Sequence, residues 1–201
     1  TGKTWTLIEK VVKRYLKKGV DPERIAFISF TNKAVDTAKS RALDAFPHLD
    51  SNSFSRFRTL HSYCRRYFEE EIFDTKDCMI DYALTNNFVK RSDNRLSQDN
   101  FTYSDWSLGI YDKARNLLED PVLVYKKEAQ KKDNLDVYTR KIRTYEHYKT
   151  SGGERSFLDF TDMIEKALHE VEFPKLDVLI LDEAQDFTPL QWSLIYKMVG
   201  N

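Results

Sequence analysis

The sequence predicts an α/β fold in which helices alternate with the strands of a parallel sheet, and two stretches carry this prediction. Val178–Leu181 is a short apolar run that passes directly into Asp182 and Glu183, a pattern typical of a strand buried on both faces. Ile25–Phe30 is a second apolar run, and a polar turn and a helix of about residues 34–46 follow it. Strand, turn and helix in this order are the repeating unit of parallel sheets.

The acidic residues that follow the Val178–Leu181 run are candidates for chemistry. Ligands of parallel sheets bind beyond the carboxyl ends of the strands, where Asp182 and Glu183 are expected to lie. Adjacent carboxylates suit two tasks there, since one can hold Mg²⁺ while the other orients or deprotonates an attacking water. The alternative for this stretch alone is a strand that ends in a solvated acidic turn.

The first four residues match the end of the phosphate-binding pattern G-x-x-x-x-G-K-[ST]: Thr1, Gly2, Lys3 and Thr4. In this loop backbone N–H groups hold phosphates, the lysine reaches the β- and γ-phosphates, and the hydroxyl residue binds Mg²⁺. The first glycine and a preceding strand are not in the sequence, so the motif is partial. A helix predicted from Thr4 to Leu16 would direct its positive end at the phosphates. Together with the acidic strand end, this motif predicts a P-loop NTPase.

Composition and charge limit the classes of protein to which the chain can belong. Of its 201 residues, 41% are hydrophobic and 32% are charged, as is ordinary for a globular protein with a core. Lys and Arg balance Asp and Glu at 32 each, which argues against a polybasic nucleic-acid coat but not against a localised groove. No apolar run approaches the ~18 residues of a membrane span. Cys64 and Cys78 lack metal-ligand spacing, and we expect a cytoplasmic, intracellular protein with free thiols and no membrane partner.

The middle of the chain differs in character from its two ends. From about Glu69 to Glu154 the pattern is helical and rich in Tyr, Lys and Asp. Trp106 and the tyrosines of this stretch are expected in the core of a small domain, or otherwise in contact with nucleic acid. Ser151–Glu154 is the clearest linker, and Phe157–Val171 predicts an amphipathic helix after it.

Two further elements are signalled locally. Phe57–Ser62 predicts a third short strand or turn, with a helix after it. Near the end of the chain Thr188 can cap a helix, Pro189 suits a first helical position, and Gln191 can complete a capping box. We predict that the last helix begins there.

Four blocks of the sequence, taken in order, match one set of family motifs. They are Gly2-Lys3-Thr4, Phe30-Thr31-Asn32-Lys33-Ala34, Thr59-Leu60-His61-Ser62-Tyr63-Cys64, and Leu181-Asp182-Glu183-Ala184-Gln185-Asp186 with Gln191 beyond. Leu158-Asp159-Phe160-Thr161-Asp162-Met163 resembles a further segment, L-D-F-x-D-L. In this combination the chain resembles the UvrD/Rep/PcrA-type superfamily 1 DNA helicases. Glutamine at the fourth place of D-E-A-Q separates this group from its DEAD-box relatives.

The resemblance implies a RecA-like domain with a parallel sheet, called 1A, that is interrupted by a mostly helical inserted subdomain, called 1B. The implied limits are residues 1–70 and 155–201 for 1A and residues 71–154 for 1B. In this family ATP is hydrolysed between two RecA-like domains, so a second such domain with its arginine finger would complete the ATP site. We therefore expect the chain to be a fragment that is inactive or weak in isolation.

The resemblance also implies a role for each motif residue at the nucleotide site. The ATP-binding residues are those of the phosphate loop: Thr1, Gly2, Lys3 and Thr4. Thr4 and Asp182 would hold Mg²⁺, Glu183 would activate the attacking water, and Lys3 and Gln185 would be the other catalytic residues. Gln185 is expected to couple the γ-phosphate site to the DNA site. The alternative for Gln185 is a hydrogen-bonding residue that fixes the strand end.

The expected DNA-binding residues lie in two of the motifs: Phe30, Thr31, Asn32, Thr59 and His61. Their hydroxyl and amide groups would contact phosphates, and an aromatic ring could stack on a base. Phe30 could instead be a core residue, and His61 could have a structural role. Arg65 and Arg66 could reach backbone phosphate or only solvent.

The function implied is that of the ATP-binding domain of a DNA helicase that uses ATP and Mg²⁺ to move along single-stranded DNA. Its implied direction is 3′→5′, its partners are single strands and single-strand/duplex junctions, and its setting is DNA repair or replication. One alternative is the helicase part of a recombination helicase–nuclease of the AddA or RecB type. Another is a non-catalytic DNA-binding module with a P-loop fold, against which the intact Lys3, Thr4, Asp182 and Glu183 argue. A metabolic P-loop kinase would not explain the motif around Phe30.

Overall fold

The structure is a computed structural model that describes residues 6–88, 105–130, 134–151 and 156–200. In chain order its elements are a π-helical segment (Leu7–Val12), α1 (Lys13–Lys17), β1 (Ile25–Ser29), α2 (Asn32–Ala45), β2 (Phe57–Thr59), α3 (Leu60–Cys64), β3 (Glu71–Ile72), α4 (Lys76–Thr85), α5 (Trp106–Leu117), α6 (Pro121–Glu128), α7 (Leu135–Ser151), β4 (Phe157–Leu158), α8 (Phe160–Glu170), β5 (Val178–Leu181) and α9 (Pro189–Val199). No helix among the described residues is long and apolar enough to cross a membrane.

The elements form two compact units. The sheet unit comprises the described residues up to Phe68 and those from Lys166 onward, and the helical unit comprises Glu69–Glu165. The helical unit extends beyond residue 154 because β4 pairs with β3 within it. The identification of these units with 1A and 1B stays a prediction.

The predicted parallel sheet is confirmed. Its strand order is β2-β1-β5, and β1 pairs in parallel with both neighbours. Every residue of β1 is buried, as expected for a strand that lies in the middle of a sheet covered on both faces. The three strands therefore end at one edge of the sheet.

Burial along β5 differs from the prediction. Val178 and Ile180 are buried in the core of the sheet unit, whereas Leu179 and Leu181 are only half-buried. The strand therefore alternates in burial, because only one of its faces packs against the core cluster that contains Ile8.

Two predicted helices of the sheet unit are confirmed with shifted limits. Within the described residues, the first begins as the π-helical segment and continues through α1 to Lys17, and it buries Ile8 and Val12 in the core. The second, α2, begins at Asn32 instead of at about residue 34. It begins earlier because the Thr31 hydroxyl accepts a hydrogen bond of 3.2 Å from the Ala34 N–H and so caps the helix.

The capping box of α9 is confirmed in both directions. The Gln191 N–H donates to the Thr188 hydroxyl at 3.3 Å, and the Thr188 N–H donates to the Gln191 side-chain oxygen at 3.1 Å. Pro189 occupies the first helical position. The residues around Thr188 alone are therefore sufficient to predict where α9 begins.

The helical unit contains α4 to α7 and a two-stranded parallel pair of β3 with β4. The helix predicted over Phe157–Val171 begins later, at Phe160, because Phe157 and Leu158 pair with Glu71 and Ile72. Of the predicted linker, only Ser151 is described, as the last residue of α7. The other linker residues lie outside the described part of the chain.

Tyrosines form much of the core of the helical unit, as predicted. The rings of Tyr125 and Tyr138 stack with centroids 4.4 Å apart, and Tyr145 meets Phe73 edge-on at 5.0 Å. The prediction that Trp106 is a core residue is wrong, since 46% of its surface is exposed. Trp106 lies at the first position of α5, where its ring meets that of Tyr125 edge-on at 5.7 Å.

A network of buried charges joins α5, α7 and the residues around the start of α8. Asp159 accepts from Arg115 at 3.0 Å and from Lys149 at 2.8 Å, and Asp162 accepts from Lys149 at 2.6 Å. Burial opposes the charged form of Asp159, but the two cations outweigh it and hold the pKa of this carboxyl below its ordinary value. Removal of one partner would leave a buried charge unpaired, so the network fixes the packing of these helices.

Candidate functional site

The carboxyl ends of the three sheet strands bring the predicted motif residues together. Ser29 lies opposite Thr59 in the β1–β2 register, and Ile28 lies opposite Leu181 in the β1–β5 register. The N–H of Asp182 continues this ladder and donates to the carbonyl of Ile28 at 2.9 Å. Residues from three of the four sequence motifs therefore share one edge of the sheet.

Asp182 is a buried carboxylate that pairs with no cation of the described residues. Only 5% of its surface is exposed, and its Oδ2 accepts a hydrogen bond of 3.3 Å from the Ser29 hydroxyl. Within the part of the chain that the structure describes, no lysine, arginine or histidine nitrogen lies within 4.0 Å of it. A carboxylate oxygen in this state fits a hard divalent cation such as Mg²⁺, which prefers oxygen ligands and would supply the missing positive charge.

Glu183 has an unusual backbone conformation. Its φ of 53° and ψ of 45° lie in the left-handed region, which costs a residue with a Cβ atom about 1 kcal/mol. The turn Ala184–Asp186 follows at once, and the side-chain amide of Gln185 donates to Glu183 Oε2 at 2.8 Å. The sharp bend turns the chain away from the direction of β5 at Glu183. The side-chain amide of Gln185 holds one of the two carboxylate oxygens of Glu183.

A pocket of about 470 Å³ opens at this edge of the sheet. It is lined by residues from β1, α2 and the segment after β5: Ser29, Phe30, Thr31, Lys33, Ala34, Thr37, Arg41, Asp182, Glu183 and Asp186. Its wall carries two cationic residues and three carboxylates, so it suits a ligand that combines phosphates with a metal ion.

Three residues of this pocket were missed by sequence reasoning: Ser29, Thr37 and Arg41. Arg41 lines the pocket with a buried guanidinium Nη1 that has no hydrogen-bond partner among the residues the structure describes. Ser29 ends β1 and holds Asp182. The face of α2 that lines the pocket carries a residue at every fourth position: Lys33, Thr37 and Arg41. Because Lys33 belongs to a predicted motif, this helical spacing was the signal that could have identified Arg41.

Phe30 lies at the pocket and is not a core residue. Its side chain is 41% exposed, and its ring packs against Phe187 with centroids 4.5 Å apart. Phe187 in turn meets Trp192 at 6.0 Å. An exposed ring that is supported from behind by other aromatics can stack on a planar ligand without large loss of side-chain freedom.

The two predicted DNA-binding threonines both cap helices. The Thr31 hydroxyl accepts from the Ala34 N–H, and the Thr59 hydroxyl accepts from the Ser62 N–H at 3.2 Å. Each hydroxyl retains its own hydrogen, which it can still donate to a phosphate oxygen. Asn32 is exposed at the start of α2, and His61 is half-buried on α3.

The predicted phosphate-loop residues lie outside the described part of the chain: Thr1, Gly2, Lys3 and Thr4. Their roles stay predictions. The described helix that begins at Leu7 follows them in the sequence, as the P-loop pattern requires.

Comparison with known proteins gives a consistent family match. A sequence profile of the UvrD/REP helicase N-terminal domain matches residues 1–201, the whole chain. The chain is also similar, at low identity, to individual curated proteins that are named as DNA helicases.

Three of these relatives illustrate the similarity. A probable DNA helicase II homolog of Mycoplasma pneumoniae is 24% identical over 221 residues, which are 100% of this chain and 30% of the relative. The ATP-dependent DNA helicase Rep of Buchnera aphidicola subsp. Baizongia pistaciae is 26% identical over 216 residues, 97% of this chain and 30% of the relative. The ATP-dependent DNA helicase PcrA of Staphylococcus epidermidis is 25% identical over 221 residues, 100% of this chain and 28% of the relative. The chain thus spans less than a third of the length of these relatives.

Proposed function

The chain belongs to the UvrD/REP helicase N-terminal domain family, and from this premise we propose that it is the ATP-binding domain of an ATP-dependent DNA helicase that moves along single-stranded DNA. The observation that carries the proposal is the pair Asp182 and Glu183 at the carboxyl end of β5, beside a pocket of about 470 Å³. The chain spans about 30% of the length of its relatives, so hydrolysis and strand separation are proposed for the complete protein.

Asp182 and Thr4 are the proposed ligands of Mg²⁺, and Lys3, with the backbone of Thr1 and Gly2, is the proposed phosphate-binding group. When bound, the Mg²⁺–ATP complex supplies a polarised terminal phosphate for transfer to water. The Ser29 hydroxyl supports this arrangement, because it donates to Oδ2 of Asp182 and thereby orients the carboxylate.

Glu183 is the proposed general base. Its carboxylate orients the attacking water and accepts a proton from it, and the hydrogen bond from Gln185 holds that carboxylate in place. Gln185 is exposed at the same turn, so a change in its position on DNA binding would move Glu183. This link is the proposed route by which DNA stimulates hydrolysis.

The proposed single-strand contacts surround the same sheet edge. The exposed ring of Phe30 would stack on a base, and the hydroxyl groups of Thr31 and Thr59 would donate to phosphates. Asn32 directly follows Thr31, His61 lies two residues after Thr59, and the two complete the set. The proposed direction of movement is 3′→5′, and the proposed substrates are single strands and their junctions with duplex.

The two compact units fit the proposed domain plan. The sheet unit, with its parallel strands, corresponds to the RecA-like domain 1A, and the mostly helical unit corresponds to the inserted subdomain 1B. A second RecA-like domain would complete the ATP site. We therefore expect weak nucleotide binding and little hydrolysis by the 201-residue chain alone.

The proposal is tested on the complete protein by ATP hydrolysis with and without a single-stranded oligonucleotide. DNA should raise the rate at least tenfold, since the DNA site is coupled to the catalytic site. Unwinding is then compared on duplexes that carry either a 3′ or a 5′ single-stranded tail. Hydrolysis that DNA does not change would overturn the motor function, and unwinding from the 5′ tail alone would overturn the direction.

A further inference from the structure

One segment of the sheet unit departs from the charge balance of the chain. Between residues 51 and 68 the sequence contains four arginines and no acidic residue: Arg56, Arg58, Arg65 and Arg66. The segment covers β2 and α3, so the positive charge gathers around one strand end. The whole chain has a formal net charge of zero, which makes the local excess distinct.

Among the described residues, the side chains of Arg56, Arg58 and Arg65 donate to neutral oxygen atoms. Arg58 donates from Nε to the carbonyl of Ser55 at 2.7 Å and from Nη1 to the hydroxyl of Ser62 at 3.2 Å. Arg56 donates to the hydroxyl of Tyr63 at 3.3 Å. Of the four arginines, none has a carboxylate oxygen within 4.0 Å among the described residues. Their charge is therefore not neutralised within that part of the protein.

Ser62, to which Arg58 donates, lies four residues before Arg66 along α3 and the helical turn that follows it, and this spacing places Arg58 and Arg66 on one side of the segment. Burial lowers the pKa of Arg58, and the positive charge of Arg66 lowers it further. Arg58 nevertheless keeps its positive charge, because an arginine in a protein stays protonated at any physiological pH. Arg66 is exposed, and its side chain forms no hydrogen bond or ion pair with another described residue. Two like charges held together in this way are relieved by an anion that contacts both.

The position of this pair favours a nucleic-acid backbone over other anions. Arg58 immediately precedes Thr59, and Ser62, which accepts from Arg58, also donates its N–H to Thr59. The pair therefore adjoins the strand end that carries the proposed DNA contacts. The planar guanidinium matches the oxygen geometry of a phosphate, and a polymer of phosphates can occupy the pair and the strand end together.

We propose that Arg58 and Arg66 form a phosphate clamp for the backbone of single-stranded DNA. The inference rests on the proposed function and adds to it a contact that depends on charge and not on base identity. The clamp contributes affinity and salt dependence, and the aromatic contact at Phe30 is separate from it.

The clamp is tested by fluorescence anisotropy of a labelled oligothymidylate bound to the complete protein at several salt concentrations. Each phosphate contact contributes about 0.7 to the slope of log affinity against log salt on a single strand. The double variant Arg58→Gln/Arg66→Gln should thus lower the slope by about 1.4 and weaken binding at least tenfold at low salt. Arg24→Gln is the matched control. Arg24 lies at the amino end of β1, away from the carboxyl ends of the strands, and is paired with Asp177 at 2.6 Å.

Single variants keep the test independent of folding. Arg66→Gln alone changes an exposed side chain and should lower the slope by about 0.7, whereas Arg58→Lys, which keeps the charge, should leave the slope unchanged. The clamp would be overturned if the wild type bound single-stranded DNA and both the double variant and Arg66→Gln showed the same salt slope as the wild type. The proposed function would then stay intact. Absence of wild-type binding to single-stranded DNA would overturn the proposed function and the clamp with it.

Discussion

The side-chain amide of Gln185 donates a hydrogen bond of 2.8 Å to Oε2 of Glu183. Glu183 lies in the left-handed backbone region, and the turn Ala184–Asp186 brings Gln185 back toward it. The strained bend and the amide together fix the carboxylate at the pocket edge. An exposed residue thus holds one oxygen of the group to which we assign the chemistry.

Gln185→Ala should slow hydrolysis more than it weakens nucleotide binding. Without the amide one oxygen of the Glu183 carboxylate is no longer held in place. We therefore expect kcat to fall by roughly tenfold to a hundredfold. The nucleotide affinity should stay within about twofold of that of the wild type. The stimulation by DNA should fall as well. Steady-state kinetics and nucleotide titration of the complete protein measure both quantities, with Gln130→Ala as a control in the helical unit. Equal loss of binding and kcat would contradict a positioning role.

Ser29→Ala should weaken the response to Mg²⁺. The hydroxyl is the group that donates to the buried Asp182, at 3.3 Å, and loss of such a support typically costs about tenfold in metal affinity. The Mg²⁺ concentration for half-maximal hydrolysis should therefore rise, while Ser40→Ala, on the exposed side of α2, should leave it unchanged. An unaltered Mg²⁺ dependence in Ser29→Ala would contradict the assignment of Asp182 as a metal ligand.

Leu118→Gly should stabilise the protein, although it removes an apolar side chain. Leu118 follows α5 with a φ of 58° and is 57% exposed, so it has a strained backbone and little burial to lose. Glycine at this helix end should raise the free energy of unfolding by about 1 kcal/mol. Leu117→Gly, one residue earlier within the helix, should lower it by about 1 kcal/mol. Urea denaturation measures the free energy of unfolding of both variants. A change of the same sign in the two variants would contradict a strained backbone at Leu118.

Asp74→Asn should remove a pH dependence of stability between about pH 4 and pH 6. Burial raises the pKa of Asp74 from 3.8 to about 6, so the folded state binds a proton in this range that the unfolded state has released. Stability of the wild type should therefore fall as the pH rises through this range, by about 2 kcal/mol.

Asparagine retains an oxygen that can accept the hydrogen bond of 2.6 Å from the Phe160 N–H. The variant should therefore match the wild type at pH 4 and exceed it at pH 7 in urea denaturation. A constant difference between the two proteins from pH 4 to pH 7 would show that Asp74 does not titrate as described.

Local signals in the sequence predicted local structure well. The capping box of Thr188 and Gln191 and the polar residues after β1 and β5 depend on neighbours within a few positions, and the structure confirms these elements. The parallel sheet followed from the same information, because apolar strands that run into polar turns meet at one edge.

Features that depend on distant residues could not be predicted in the same way. The bonds from Arg115 to Asp159 and from Ser29 to Asp182 join residues that are far apart in the sequence. The pairing of β3 with β4 likewise overrode the helical pattern at Phe157. In each case a long-range partner, absent from any local window, decided the outcome.

The most direct test of the central claim is ATP hydrolysis by the complete protein and its Glu183→Gln variant in the presence of single-stranded DNA. Glutamine keeps the shape of the side chain and its place beside Gln185 but cannot accept a proton from water. We predict that kcat falls by at least a hundredfold while nucleotide and DNA affinities stay within about threefold. Unchanged hydrolysis in the variant would contradict the assignment of Glu183 as the catalytic base and with it the proposed motor site.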